Sequence, residues 1–136
     1  MEFPRNFADF SVGMSHTHTV HITAEMIAAY GDIVGDHNPL HTDAEFASPR
    51  FGGIIAHGAL LIGLFSAAMW RLLGAGVVAR GFDCKFRAPF RAGDDVQIQL
   101  KIIELVPKIR KVVIEGRACV GATVLLTTLI EALMEG

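Results

Sequence analysis

Residues 54–70 form a run so apolar that it restricts everything around it. It reads Ile54-Ile55-Ala56-His57-Gly58-Ala59-Leu60-Leu61-Ile62-Gly63-Leu64-Phe65-Ser66-Ala67-Ala68-Met69-Trp70. A membrane span needs about 20 apolar residues. This run is shorter, is interrupted by His57, Gly58, Gly63 and Ser66, and is closed by Arg71. A helix that is apolar on all sides and does not cross a membrane has to be wrapped by the rest of its domain. The run therefore predicts a fully buried helix over residues 58–73, ended by Gly74-Ala75-Gly76.

The C-terminal half of the chain supplies the wrapping. Residues 77–86, 96–106, 109–120 and 123–133 read as strands, rich in β-branched residues and joined by short turns around Pro89, Pro107 and Gly121. Before the apolar run, residues 1–13 read as loop and turn. Residues 14–22 read as a strand, with His16 and His18 on one face and His21 on the other. Thr23 caps a helix over residues 24–34, and Gly35 ends it. Residues 42–47 suit a short helical turn, and Ser48-Pro49-Arg50-Phe51-Gly52-Gly53 suits a flexible loop. Strands segregated after helices imply an α+β domain with a mostly antiparallel sheet. One such sheet can bury one apolar helix only by curling around it, which is the hot-dog fold.

At 136 residues the chain is expected to form a single domain over residues 1–136. Pairing into a homodimer is a common way for domains of this size to bury more surface. The formal net charge of −2 argues against nucleic acid or an anionic membrane as partner. Cys84 and Cys119 have no CxxC spacing and read as small buried hydrophobes in a reducing compartment. No secretion signal is visible in the first residues, so a cytoplasmic location is expected.

Immediately before the apolar run lies a polar knot, Gly35-Asp36-His37-Asn38-Pro39-Leu40-His41. Pro39 excludes a continuing helix, so Asp36 and His41 can converge within a tight loop. A carboxylate beside an imidazole can move protons to and from a water. Asn38 offers both donor and acceptor groups to the loop backbone or a ligand amide, and His37 is expected to be exposed. His57-Gly58 opens the apolar helix, whose free amides can stabilise an oxyanion. Gly58 leaves room for a carbonyl to approach. Ser66 lies eight residues on, near the same face. No Gly-x-Ser-x-Gly elbow surrounds Ser66, so a Ser–His–Asp triad is rejected. Asp36, His41 and His57 have suitable ligand types for a metal, but no metal-binding spacing supports it.

These residues resemble the hydratase-2 motif of the MaoC-like, (R)-specific enoyl-CoA hydratases. The resemblance rests on Tyr30 through Ala47, with Gly35-Asp36-x-Asn38-Pro39-Leu40-His41, on Ile55-Ala56-His57-Gly58 and Leu64-Phe65-Ser66, and on Phe86-Arg87-x-Pro89-x-x-x-Gly93-Asp94. It implies a homodimeric hot-dog whose sheets join edge to edge, an acyl-CoA substrate and no cofactor or metal. It also implies reversible syn addition of water to a trans-2-enoyl-CoA. By position, Asp36 and His41 match the catalytic pair and Gly58 the oxyanion donor. Ser66 matches a serine near that pair, while Asn38 and His57 are expected to face substrate. His41 is assigned the water proton and Asp36 delivery to carbon 2, although spacing alone does not separate those roles. A dehydratase of branched or dicarboxylic acyl-CoA esters, a hot-dog acyl-CoA thioesterase and a non-catalytic acyl-CoA or acyl-carrier binding module remain alternatives.

Overall fold

A computed structural model describes residues 5–135. Residues 1–4 lie outside it, so the expected loop over residues 1–13 is visible only from Arg5. After a 3-10 turn at Phe7–Asp9, the order is β1 (Ser15–His21), α1 (Ala24–Val34), α2 (Ala44–Phe51), α3 (Gly58–Leu73), β2 (Val78–Phe86), β3 (Asp95–Val106), β4 (Lys111–Val120) and β5 (Thr123–Leu133). The five strands form one antiparallel sheet in the order β1-β3-β4-β5-β2. It curls over α3, which touches β1, β3 and β2. This is the expected α+β hot-dog arrangement.

Alternation along β3 shows how the curl is filled. Val96, Ile98, Leu100 and Ile102 are buried, while Gln97 and Lys101 face out, as the period of two requires. From α3, Leu61, Phe65, Ala68, Met69, Leu72 and Leu73 meet that inner face. Phe65 is fully buried. It sits over Gly116 of β4, where an added Cβ would lie 2.9 Å from Phe65 Cε1 and 2.7 Å from Thr128 Cγ2. The missing side chain on β4 is what lets the helix approach the sheet. Arg5 also fastens the helix, donating to the Leu72 carbonyl at 2.8 Å while its guanidinium lies over the Phe10 ring.

Three expectations need correction. The central helix is not buried all round: Ala59, Gly63, Ser66, Ala67 and Trp70 form an exposed stripe along it. One five-stranded sheet covers only one side of a cylinder, and its edge strands β1 and β2 do not meet. Second, Ser48–Phe51 is helical rather than loop. Asp43 caps the first turn of α2 by accepting from the Glu45 and Phe46 amides, and Gly52 at φ 74° closes the last. Pro49 is tolerated inside this short helix because capping holds both ends. Third, the β3–β4 connection is a 3-10 turn at Pro107–Ile109 followed by Arg110 at φ 51°, so β4 starts at Lys111 and not at residue 109 as expected.

His16 and His18 lie on the inward face of β1, half-buried and hydrogen-bonded to each other, Nε2 to Nδ1, at 2.9 Å. Burial, then the positive charge of Arg71 on α3, holds both imidazoles below their ordinary range; His18 is lowered further by His16. In the unfolded chain both take up protons nearer pH ~6.5. The unfolded state therefore binds protons first on acidification, and stability falls as pH drops through that value. Substituting His16→Gln and His18→Gln together is expected to flatten the loss of stability between about pH 7.5 and 5.5. Urea titrations at each pH measure it. Gly116→Ala is expected to cost about 1–3 kcal/mol through overpacking. Its urea midpoint should fall at unchanged slope and recover in part when Phe65→Leu is added.

Candidate active site

The site begins at the end of α1. Gly35 takes the left-handed conformation, and the Gly31 carbonyl accepts from the amides of both Gly35 and Asp36. Asp36 therefore leaves the helix in a set direction. Its Oδ1 accepts from the Asn38 amide at 3.2 Å, and Asn38 Oδ1 accepts from the Leu40 amide at 3.1 Å. Two side-chain-to-backbone turns in succession feed the 3-10 turn Pro39–His41. The acceptor oxygen of Asn38 is thereby spent on its own loop.

Ile55 joins this loop to the start of α3. Its N–H donates to the Leu40 carbonyl at 3.1 Å, and its carbonyl lies 2.8 Å from His41 Nδ1. A carbonyl oxygen can only accept, so His41 carries its proton on Nδ1 and presents a free lone pair at Nε2. His57 shows the opposite tautomer. It is only 2% exposed, its Nε2–H donates to the Asp36 carbonyl at 3.0 Å, and its Nδ1 has no partner among the described residues. The His41 and His57 rings stack with centroids 3.9 Å apart and planes tilted by 31°, and Tyr30 packs on His57 at 5.0 Å. One side-chain atom from each of Asp36, His41 and His57 lies within 4.8 Å of the other two. Of the four imidazole nitrogens, His41 Nδ1 and His57 Nε2 are already committed to backbone carbonyls.

His57 is also the residue before the first turn of α3, so Gly58 is the first helical residue. Amides there have no partner inside the helix and carry the positive end of its dipole. The space a Gly58 side chain would take is filled by Phe86, whose Cε1 would lie 2.7 Å from an added Cβ. The room that Gly58 leaves is therefore taken by an aromatic ring of β2 and not, as expected, kept for a carbonyl. Next to His41 opens a cavity of about 510 Å³, mainly apolar, with Ile27, Ala28 and Ile54 in its wall and Arg91 as its cation. Arg91 is held by donation to the Phe51 carbonyl at 3.0 Å. Lys85 and Arg87 line a separate groove on the outer face of the sheet.

Asp36, His41, His57 and Gly58 are thus brought together. Asn38 stands beside them as a backbone cap. Ser66 lies on the exposed stripe of α3 and does not line the cavity next to His41. Sequence reasoning passed over Gly31 and gave Phe86, quoted only within a motif, no role at the site. Gly31 had a readable signal: a glycine inside a helix costs about 1 kcal/mol against alanine, so it often marks a close approach. Here an added Cβ would lie 3.0 Å from the Asp36 carbonyl and 3.3 Å from His57 Nε2. Phe86 carried no such signal.

A curled sheet over one helix, with an aspartate and a histidine set at that helix's N-terminus, defines a hot-dog domain equipped for acid–base chemistry. The MaoC like domain profile matches residues 10–124, and the chain belongs to that family. It is 36% identical over 122 residues to the 3-hydroxybutyryl-CoA dehydratase of Methylorubrum extorquens, covering 88% of this chain and 78% of that protein. It is 34% identical over 128 residues to the (R)-specific enoyl-CoA hydratase of Rhodospirillum rubrum, covering 84% and 89%. The unliganded R-hydratase of Pseudomonas aeruginosa superposes with a TM-score of 0.87 at 29% identity, over 94% of this chain and 84% of that one. The (R)-hydratase of A. caviae involved in PHA biosynthesis gives 0.87 at 27%, over 93% and 98%.

Asn38→Ala is expected to destabilise the protein by about 1 kcal/mol through loss of the cap, whereas Asn38→Asp keeps an acceptor and the stability. Thermal unfolding of the two variants separates a cap from a substrate contact, which would instead appear as a raised KM in both.

Proposed function

We propose that this chain is a hydro-lyase of trans-2-enoyl-CoA thioesters, adding water reversibly and syn to give the (R)-3-hydroxyacyl-CoA. The observation that carries the reading is the His41 tautomer. With Nδ1 spent on the Ile55 carbonyl, Nε2 is left free, and a side-chain oxygen of Asp36 lies within 4.8 Å of an imidazole nitrogen beside the N-terminus of α3. The names of the hydratase and dehydratase relatives agree with it.

The Gly58 amide takes the thioester carbonyl and stabilises the charge that develops there. The conjugated double bond is then polarised, and carbon 3 becomes electrophilic. Asp36 and His41 hold one water over one face of the alkene. His41 Nε2 accepts a proton as the water oxygen bonds to carbon 3. The Asp36 carboxylate takes that proton on from His41 and delivers it to carbon 2, so one water is added and both groups end as they began. No metal or cofactor takes part in this scheme. The acyl chain or its pantetheine arm occupies the apolar cavity beside His41. A second copy of the chain covers the exposed stripe of α3 and pairs along the open edge of the sheet. The two free cysteines suit a reducing, cytoplasmic setting, and no described helix is long and apolar enough to cross a membrane.

Asp36→Asn and His41→Ala are each expected to lower hydration of crotonyl-CoA by about 10²- to 10⁴-fold, with circular dichroism unchanged. Loss of the enoyl absorbance and chiral analysis of the product measure this. Near wild-type turnover in either variant overturns the assignment. A thiol trap separates the thioesterase alternative, which releases free CoA, whereas hydration releases none.

A further inference from the structure

We propose that His57 is a positioning residue, not a substrate contact, and that its single ring sets the geometry of both proton-transfer groups. The inference rests on the hydratase reading for its kinetic consequence but not for its geometry. One edge of the ring, Nε2–H, holds the peptide carbonyl of Asp36 at 3.0 Å. One face stacks on His41 at 3.9 Å. The Asp36 carboxylate and the His41 imidazole come from a loop that carries few apolar anchors of its own, with Asp36 exposed and His41 half-buried. His57 is buried, and its backbone is fixed as the residue preceding the long helix α3. The buried member of the trio therefore backs the two more exposed ones.

Three features fit this role. At 2% exposure, His57 has almost no surface for a ligand to touch. Its one free nitrogen, Nδ1, is buried without a partner among the described residues. Leaving a buried polar atom unpaired is costly, and a residue kept only for packing would have no reason to carry it. Gly31 completes the arrangement. Any side chain there would press on both the Asp36 carbonyl and His57 Nε2, the two ends of this hydrogen bond. The helix accepts a glycine in its interior, and the loop and the ring close over it.

The two contacts can be cut separately. In His57→Gln the side-chain amide can still donate to the Asp36 carbonyl, but the stack on His41 is gone. In His57→Phe a ring still stacks, but the Asp36 carbonyl is left without a donor. Each variant is expected to lower kcat for crotonyl-CoA about 10- to 10²-fold, the scale of a misplacement near 1 Å, with KM within about threefold of wild type. Gly31→Ala, which loads both contacts at once, should fall at least as far. A rise in KM with kcat held marks a substrate contact and overturns the inference, as does wild-type kcat in both His57 variants. Proton NMR of the imidazoles reads the geometry without turnover. The stacked His57 ring should shift the His41 Cε1–H resonance upfield in the wild type, and His57→Gln should return it. If that resonance does not move, His57 does not hold His41 and the inference fails. If the wild type hydrates no enoyl-CoA while the resonance does move, the hydratase reading fails and the positioning role stands.

Discussion

Ile55 makes two hydrogen bonds on which the arrangement of the site depends. Its amide fastens Leu40 and its carbonyl takes the Nδ1–H of His41. One residue therefore joins the polar loop after α1 to the entrance of α3 and also selects the histidine tautomer. The next residue, Ala56, donates to the Phe90 carbonyl at 2.7 Å, which ties the same segment to the turn before β3. Three parts of the chain distant in sequence meet along a short stretch of extended backbone. Because Ile55 and Ala56 use only backbone groups here, these bonds are insensitive to most side-chain changes nearby, and the histidine inherits their rigidity.

The core and the site share a reason for their glycines. Gly116 admits Phe65 and so brings α3 down onto the sheet; Gly31 admits His57 and so brings the loop down onto α3. In each case a missing side chain fixes how closely two elements approach. The conformational freedom usually credited to glycine plays no part at either place, since neither has a positive φ. The left-handed positions Gly35 and Gly52 do a separate job and end α1 and α2.

Much of this was legible in the residues. The order of elements, the antiparallel sheet and the central helix came from periodicity and from the breaks at Gly35, Pro39 and Gly74. The juxtaposition of Asp36 and His41 came from Pro39, which forbids a helix between them. Other features were not legible. Pro49 suggested a loop, because the capping by Asp43 and Gly52 that rescues the short helix acts from both ends at once. The exposure of Ser66 and its stripe could not be read from a run apolar at nearly every position, since such a run names no preferred face. Asn38 has groups for either a ligand or its own backbone, and only the observed turn assigns its oxygen to Leu40.

The sequence by itself determined the fold class and the kind of chemistry available. Local pattern, turn residues and the types of side chain in the polar knot depend on near neighbours, and near neighbours are written in order. Tertiary structure alone decided which nitrogen of His41 is free and which ring lies against it. It also decided which side of α3 the sheet covers. Those outcomes depend on a carbonyl fourteen residues away at Ile55, on a bond across twenty-one residues from His57 to Asp36, and on how far five strands can curl around one helix.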